Sequence, residues 1–294
     1  MEKFQLSLAF TLTGIGAASG LVYIDKRLYF ISDGSSYLYE YSIADAQLNK
    51  IALVENPQEN IAKKDKPDFE SITFSNNKLY LFGSGSTQKR ESRFTFNLES
   101  KKIKERNLSK IYKRLKETIS LPDDELNIEG IIITETTTYF FQRGNGLNAQ
   151  NGVFIFKRNG NDNINGNGNI NGNINGNIND KIQFIAFELP KIKNVSTTFT
   201  DAILVENTIY FLASAEDTAS TYEDGEVLGS VIGTIDLKTM SLESCIQISD
   251  KHKFEGLTLY NKTATQIELL LCEDNDTEEL ESTIYKLALY YGEK

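Results

Sequence analysis

Apolar and polar residues alternate along most of the chain, and one pattern recurs five times. Near its start, each copy has a polar residue followed by a small residue. An apolar strand, a tight turn and a second strand rich in Tyr, Phe and Leu follow. The copies begin at Ala18-Ser-Gly, Phe69-Glu-Ser, Ile128-Glu-Gly, Thr200-Asp-Ala and Phe254-Glu-Gly. Repeats of about fifty residues with four short strands each are typical of a β-propeller. The sequence therefore predicts an all-β, five-bladed propeller, formed by residues 1–294 as a single domain.

Three segments depart from the repeat. Residues 4–12 alternate with period two, which predicts a strand, and the fifth repeat lacks an outer strand, so we expect residues 4–12 to close the last blade. Residues 109–117 have helical spacing and predict a surface helix. The Gly/Asn-rich tract 159–180 has too little apolar surface to offset its ordering entropy, which predicts a disordered loop.

Composition narrows the choice of partners. The net charge of −10 disfavours nucleic acid and anionic membranes, and no apolar run is long enough to span a bilayer. Cys245 and Cys272 lie in apolar runs, which indicates buried thiols, and the single histidine argues against a His-rich zinc site. We expect a cytoplasmic monomer. The alternative, a secreted or periplasmic protein, would make the first residues a signal peptide.

The residue that opens each innermost strand is expected to lie near the channel axis. These five residues all carry side-chain oxygen: Ser19, Glu70, Glu129, Asp201 and Glu255. Carboxylates that converge in a narrow channel repel one another, and a bound cation relieves the repulsion. Oxygen ligands without His or Cys favour a hard ion, and flexible spacing suits Ca²⁺ better than Mg²⁺. The sequence therefore predicts a Ca²⁺ site. The alternative is that the acids are protonated, hydrated or paired with Lys and Arg.

This series resembles that of a known family, the soluble calcium-activated nucleotidases of the apyrase type. Those proteins are five-bladed propellers with one axial Ca²⁺ and a Ser, Glu, Glu, Ser, Glu series at their inner strands. The chain matches four members of the series, and Asp201 stands where the family has its second Ser. A looser similarity links the Glu-Gly-Leu motif at Glu255 to phytase-associated esterase-like and lactonase-type propellers.

The resemblance extends to Leu28-Tyr-Phe-Ile-Ser-Asp, Tyr139-Phe-Phe-Gln-Arg and Ser214-Ala-Glu-Asp. It implies that four residues face a phosphate or a metal at the channel mouth: Asp33, Arg143, Glu216 and Asp217. Two phosphate-binding cations of the family are missing, because Gly34-Ser-Ser and Ala213-Ser214 stand in their places.

Two further features concern anion binding. Arg143 ends an apolar strand before Gly144-Asn-Gly, where it is expected either to form a bidentate pair with a phosphate or carboxylate of a ligand, or to be a surface arginine paired with a neighbouring acid. The Gly-rich stretch from Gly83 precedes Arg90 and predicts either an anion-binding loop or a plain connection.

Two function classes follow. The first is a calcium-binding propeller with a mouth site for a small phosphorylated or anionic ligand. The second is a Ca²⁺-dependent hydrolase of nucleoside di- or triphosphates, or of another phosphate or ester, in which Glu129 and Arg143 are catalytic.

Overall fold

The computed structural model describes residues 3–157, 181–217, 225–274 and 280–291, and these form mainly β-strands. In chain order the strands are β1 (Lys3–Thr13), β2 (Ala18–Ile24), β3 (Arg27–Ser32), β4 (Tyr37–Ser42), β5 (Gln47–Ala52), β6 (Phe69–Ser75), β7 (Lys78–Gly83), β8 (Ser92–Asn97), β9 (Ile103–Asn107), β10 (Ile128–Ile133), β11 (Thr137–Gln142), β12 (Gly152–Lys157), β13 (Ile182–Ala186), β14 (Lys191–Ile192), β15 (Val195–Ser196), β16 (Thr198–Val205), β17 (Thr208–Asp217), β18 (Glu226–Asp236), β19 (Leu242–Ser249), β20 (Lys253–Lys262), β21 (Gln266–Asp274) and β22 (Glu281–Tyr290).

Five four-stranded antiparallel sheets form the blades, which confirms the predicted five-bladed propeller. Blades 1 to 4 are β2–β5, β6–β9, β10–β13 and β16–β19, each in sequential order. Blade 5 has the order β1-β22-β21-β20, and β1 pairs antiparallel with β22 from Lys3 opposite Tyr290 to Thr13 opposite Glu281. The prediction that an N-terminal strand closes the last blade is therefore also confirmed. The loop predicted at 159–180 lies outside the described residues.

Apolar faces of neighbouring blades pack into five clusters that surround the axis. Between blades 3 and 4, for example, the ring of Phe199 lies edge-on to Phe141 and Phe211 at centroid distances of 5.3 and 5.1 Å. Such pairs combine a large buried area with favourable ring geometry. Each blade is apolar on both faces. The polar and charged side chains that could bind a ligand are therefore expected at the blade edges and in the loops.

One α-helix, α1 (Ser109–Ile119), covers the space between blades 2 and 3. It extends two residues beyond the predicted range and buries Ile111, Tyr112 and Leu115 on one face. A short 3₁₀-helix spans Gln88–Arg90. No helix among the described residues is long and apolar enough to cross a lipid bilayer.

Candidate functional site at the channel mouth

Each innermost strand has a β-bulge near its start, and the bulges show which residues are equivalent. The pairing between the first two strands of every blade skips one residue, and the skipped residues are Ser19, Glu70, Glu129, Thr200 and Glu255. A bulge turns the skipped side chain out of the regular alternation and is common next to functional sites. Four of the predicted positions coincide with these residues. In blade 4 the equivalent residue is Thr200, so the assignment of Asp201 to this ring was wrong by one residue.

The two hydroxyl members of the ring join neighbouring blades. Ser19 Oγ donates to the carbonyl oxygen of Phe69 at 2.5 Å, and Thr200 Oγ1 donates to that of Phe254 at 2.7 Å. Both acceptors immediately precede the ring glutamate of the next blade, which independently supports the equivalence of Ser19 and Thr200. These hydroxyls therefore hold adjacent blades in register at the inner edge.

Asp201 makes a different connection between blades. Its carboxylate accepts the backbone N–H of Ala202 at 2.7 Å and that of Leu257, in blade 5, at 2.9 Å. Burial raises the pKa of Asp201 well above its ordinary value, and the two backbone hydrogen bonds only partly oppose this. Its contacts indicate that Asp201 satisfies a buried amide of the next blade.

Two buried cations, Arg143 and Lys253, pair with four further carboxylates at the mouth. Arg143 places Nη1 3.3 Å from Glu129 Oε1 and 4.0 Å from Glu255 Oε1, and Nη2 2.6 Å from Glu216 Oε1. Lys253 places Nζ 2.8 Å from Glu255 Oε1 and 3.2 Å from Glu216 Oε1. It also contacts Asp274 at 3.1 Å. The side chains of Arg143 and Lys253 are only 6% and 5% exposed.

This network, formed by Arg143, Lys253 and their four carboxylates, governs the protonation of the acids. Burial alone would raise the pKa of Glu216, but Arg143 and Lys253 outweigh it and lower the pKa to about 2. For Glu129 and Glu255 burial prevails, and their pKa values are raised despite the same two cations. The alternative considered from the sequence, pairing of the axial acids with Lys and Arg, is therefore what the structure shows for Glu129 and Glu255.

Sequence reasoning missed Lys253, although the sequence contains a signal for it. Lys253 lies only two residues before Glu255, at the start of the same innermost strand, which places both residues at the mouth end of blade 5. The same spacing relates Asp68 to Glu70 and Asn127 to Glu129, and Asn127 Nδ2 donates to Glu129 Oε1 at 2.7 Å.

A second group of charges lies between blades 1 and 2. Asp33, Asp68 and Glu70 bring their carboxylate oxygens within 4.8 Å of one another. Lys66 Nζ contacts Asp33 and lies 2.9 Å from Asp68 Oδ1, while Arg90 Nη1 lies 2.9 Å from Asp68 Oδ2. Asp68, which the sequence analysis did not single out, adopts a left-handed backbone with φ 54°. Asp tolerates this conformation as a single residue, because its short polar side chain can form local hydrogen bonds.

Glu70 differs from the ring carboxylates Glu129 and Glu255 in having no directly paired cation among the described residues, although Lys66 attracts it at longer range. Among the described residues, none donates a hydrogen bond to its half-buried carboxylate or forms an ion pair with it. Burial and the nearby charges of Glu129, Asp68, Glu255 and Asp33 raise its pKa well above the ordinary value. Glu70 is therefore the one member of this acidic triad, formed by Asp33, Asp68 and Glu70, without an ion pair among the described residues.

The predicted ligand-binding residues do not form one open pocket. Arg90 is buried and engaged by Asp68, by Ser86 Oγ at 2.9 Å and by the carbonyl oxygen of Lys63 at 2.8 Å. Glu216 is buried in the network, whereas its neighbour Asp217 is exposed at the end of β17. Both cysteines are free thiols, Cys272 being buried and Cys245 partly buried.

Comparison with solved structures supports the architecture alone. A glutaminyl cyclase of Myxococcus xanthus matches with a TM-score of 0.52 and 9% identity, over 98% of this chain and 97% of that chain. An exo-1,5-alpha-L-arabinanase from a bovine ruminal metagenomic library matches with a TM-score of 0.51 and 9% identity, over 95% and 97%. A luciferin-regenerating enzyme has a TM-score of 0.47 and 9% identity, over 94% and 92%.

Comparison at the level of sequence gives a family but no activity. No curated protein matches the chain, and the resemblance to calcium-activated nucleotidases is not shown by any comparison. A family model described as "Family of unknown function (DUF6929)" matches residues 14–289, nearly the whole propeller. The chain therefore belongs to the DUF6929 family.

Proposed function

We propose that this protein is a calcium-binding propeller whose ion is held at the channel mouth by Glu70, Asp33 and Asp68. The observation that carries the proposal is the Glu70 carboxylate, which is half-buried among other carboxylates and forms no ion pair with any described residue. A divalent ion there would supply the missing positive charge. The proposed site lies towards blades 1 and 2, because Glu129 and Glu255 on the opposite side are already paired with Arg143 and Lys253.

The donor chemistry fits Ca²⁺. The triad offers carboxylate oxygens without nitrogen or sulfur, which is the ligand set of a hard cation. Calcium accepts six to eight oxygens at roughly 2.3–2.6 Å in flexible geometry, so water can complete a site with three protein ligands. Magnesium requires stricter octahedral geometry and holds its water more firmly. We therefore expect the site to prefer calcium.

The experiment is a calcium titration of the chelator-treated protein by isothermal calorimetry. We expect one ion per chain in the wild type and loss of binding in Glu70→Gln, which removes the uncompensated charge. Glu105→Gln is the matched control: Glu105 lies exposed on β9, the outer strand of the same blade, and its loss should leave binding unchanged. No calcium binding by the wild type, or equal binding by both variants, would contradict the proposal.

A hydrolase or a phosphate-binding protein has less support. The two arginines predicted to contact an anion, Arg90 and Arg143, are both buried and paired with carboxylates. A phosphate would have to displace Asp68 or Glu216 and enter a mouth rich in negative charge. We therefore expect no calcium-dependent release of phosphate from nucleoside di- or triphosphates, and sustained release in a colorimetric phosphate assay would favour the hydrolase instead.

A further inference from the structure

Lys66 lies at the point where the acidic triad is most closely packed. It belongs to residues 53–68, which connect blade 1 to blade 2, and its side chain is only 13% exposed. The ammonium contacts Asp33 Oδ2 and lies 2.9 Å from Asp68 Oδ1. Two of the three carboxylates proposed to hold the ion are therefore already bound to a cation that the chain itself supplies.

We propose that Lys66 is a tethered competitor of the divalent ion, and that it sets the affinity and the charge selectivity of the site. The inference rests on the proposed function, since it concerns the same three carboxylates. The Lys66 ammonium and a bound ion would need the same oxygens of Asp33 and Asp68. A monovalent cation brings no more charge than the ammonium it displaces, whereas a divalent ion brings twice as much. The site should therefore discriminate against Na⁺ and K⁺.

The backbone around Lys66 is held in place, so displacement requires movement of the side chain only. The Lys66 N–H donates to the carbonyl oxygen of Ala62 at 3.0 Å, and the Asp68 N–H donates to that of Asp33 at 3.0 Å. Lysine has a flexible four-carbon stem, and the ammonium can move to solvent while these backbone contacts persist.

The test compares calcium titrations of Lys66→Met and Lys64→Met with that of the wild type. Lys64 is exposed in the same segment, so its substitution removes the same charge without touching the triad. We expect calcium to bind Lys66→Met about tenfold more tightly or better, because at least one charge-assisted contact no longer has to be broken. Lys64→Met should bind calcium like the wild type.

The outcomes separate this inference from the proposed function. Binding by Lys66→Met but not by the wild type would support competition by Lys66 and refute calcium binding in the native protein. Binding by the wild type with equal or weaker binding by Lys66→Met would overturn the inference and leave the proposed function standing. Absence of binding in both would refute both.

A measurement on the wild type covers the case in which Lys66→Met does not fold. Calcium should release the Lys66 ammonium and increase its rate of labelling by an amine-reactive reagent, read by peptide mass spectrometry. Lys64 should be labelled equally with and without calcium. An unchanged labelling rate at Lys66 in protein that binds calcium would overturn the inference.

Discussion

Removal of Lys253 tests the buried network of charges at the channel mouth. Its ammonium lies 2.8, 3.2 and 3.1 Å from oxygens of Glu255, Glu216 and Asp274, and the side chain is 5% exposed. At an effective dielectric constant near 20, each contact at such distances amounts to about 5 kcal/mol before desolvation is counted. The variant avoids the cost of removing the lysine ammonium from water, and this offsets several kcal/mol of the loss. We expect Lys253→Met to lower the free energy of unfolding by about 3–5 kcal/mol, as for other broken buried pairs.

Urea denaturation followed by circular dichroism gives the comparison, with Lys251→Met as the matched control. Lys251 is exposed two residues earlier, and its loss should change the stability by less than about 0.5 kcal/mol. If Lys253→Met were as stable as Lys251→Met, the network would contribute nothing and the reasoning would be refuted.

The pH dependence of the same variant gives a second, signed test. In the wild type the pKa of Glu216 falls from 4.5 to about 2, so its stabilising contribution is present above pH 4.5 and is lost as the pH falls towards 2. Lys253→Met removes part of the cause, which raises the pKa of Glu216 and lets the folded state take up protons more readily. The stability deficit of the variant should therefore be smaller at pH 4 than at pH 7. A deficit that grows on acidification would contradict this assignment.

Three further tests use substitutions at Asp201, in β1 and at Glu70. Asp201→Ala removes the acceptor of the Leu257 N–H and should lower the free energy of unfolding by about 1–3 kcal/mol in urea denaturation. Calorimetry should show an unchanged calcium affinity, and loss of calcium binding would identify Asp201 as a ligand. Leu12→Ala, at a buried position of β1, should lower the free energy of unfolding by about 2–5 kcal/mol in urea denaturation. Leu8 is 62% exposed on the same strand, and Leu8→Ala should lower it by less than about 0.5 kcal/mol. Equal losses would mean that β1 does not close blade 5 by packing. Without calcium, Glu70→Gln should raise the unfolding free energy by about 1 kcal/mol, because it removes a charge surrounded by like charges, and a fall in the thermal midpoint would contradict this.

The blades could be predicted because the pleat of a strand imposes a period of two that repeats across the chain. Residues 4–12 show the same alternation as the other outer strands, and this sufficed to place β1 against β22. The tight turn between the first two strands of blade 2 is formed by Asn76 and Asn77, and both adopt positive φ (48° and 57°), which asparagine tolerates well.

The ring of inner residues was predictable only to within one position. A bulge adds one unpaired residue, and nothing in the Thr200-Asp201 pair indicates which of the two is skipped. The three glutamates at equivalent positions favour the acid, but the hydroxyl of Thr200 makes the same interblade hydrogen bond as that of Ser19. Register at a bulge depends on pairing with the neighbouring strand, which the sequence of one strand does not contain.

The pairing of the cations at the mouth with their carboxylates could not be predicted from the sequence. Lys66 lies on a connection whose path over the mouth is set by tertiary contacts, and local alternation carries no information about that path. Arg143 was predicted to lie at a blade end, and it pairs there with Glu129 of its own blade and with Glu216 of the next blade. Whether an arginine awaits a ligand or is already paired is decided by such long-range contacts.

The most direct test of the central claim is a crystal structure of the calcium-loaded protein with anomalous diffraction to locate the ion. The account predicts one anomalous peak within about 2.3–2.6 Å of oxygens of Glu70, Asp33 and Asp68, with the Lys66 ammonium displaced and Arg143 and Lys253 still paired with their acids. A peak held instead by Glu129 and Glu255, or no peak beside Glu70 while Lys66 still bridges Asp33 and Asp68, would contradict it.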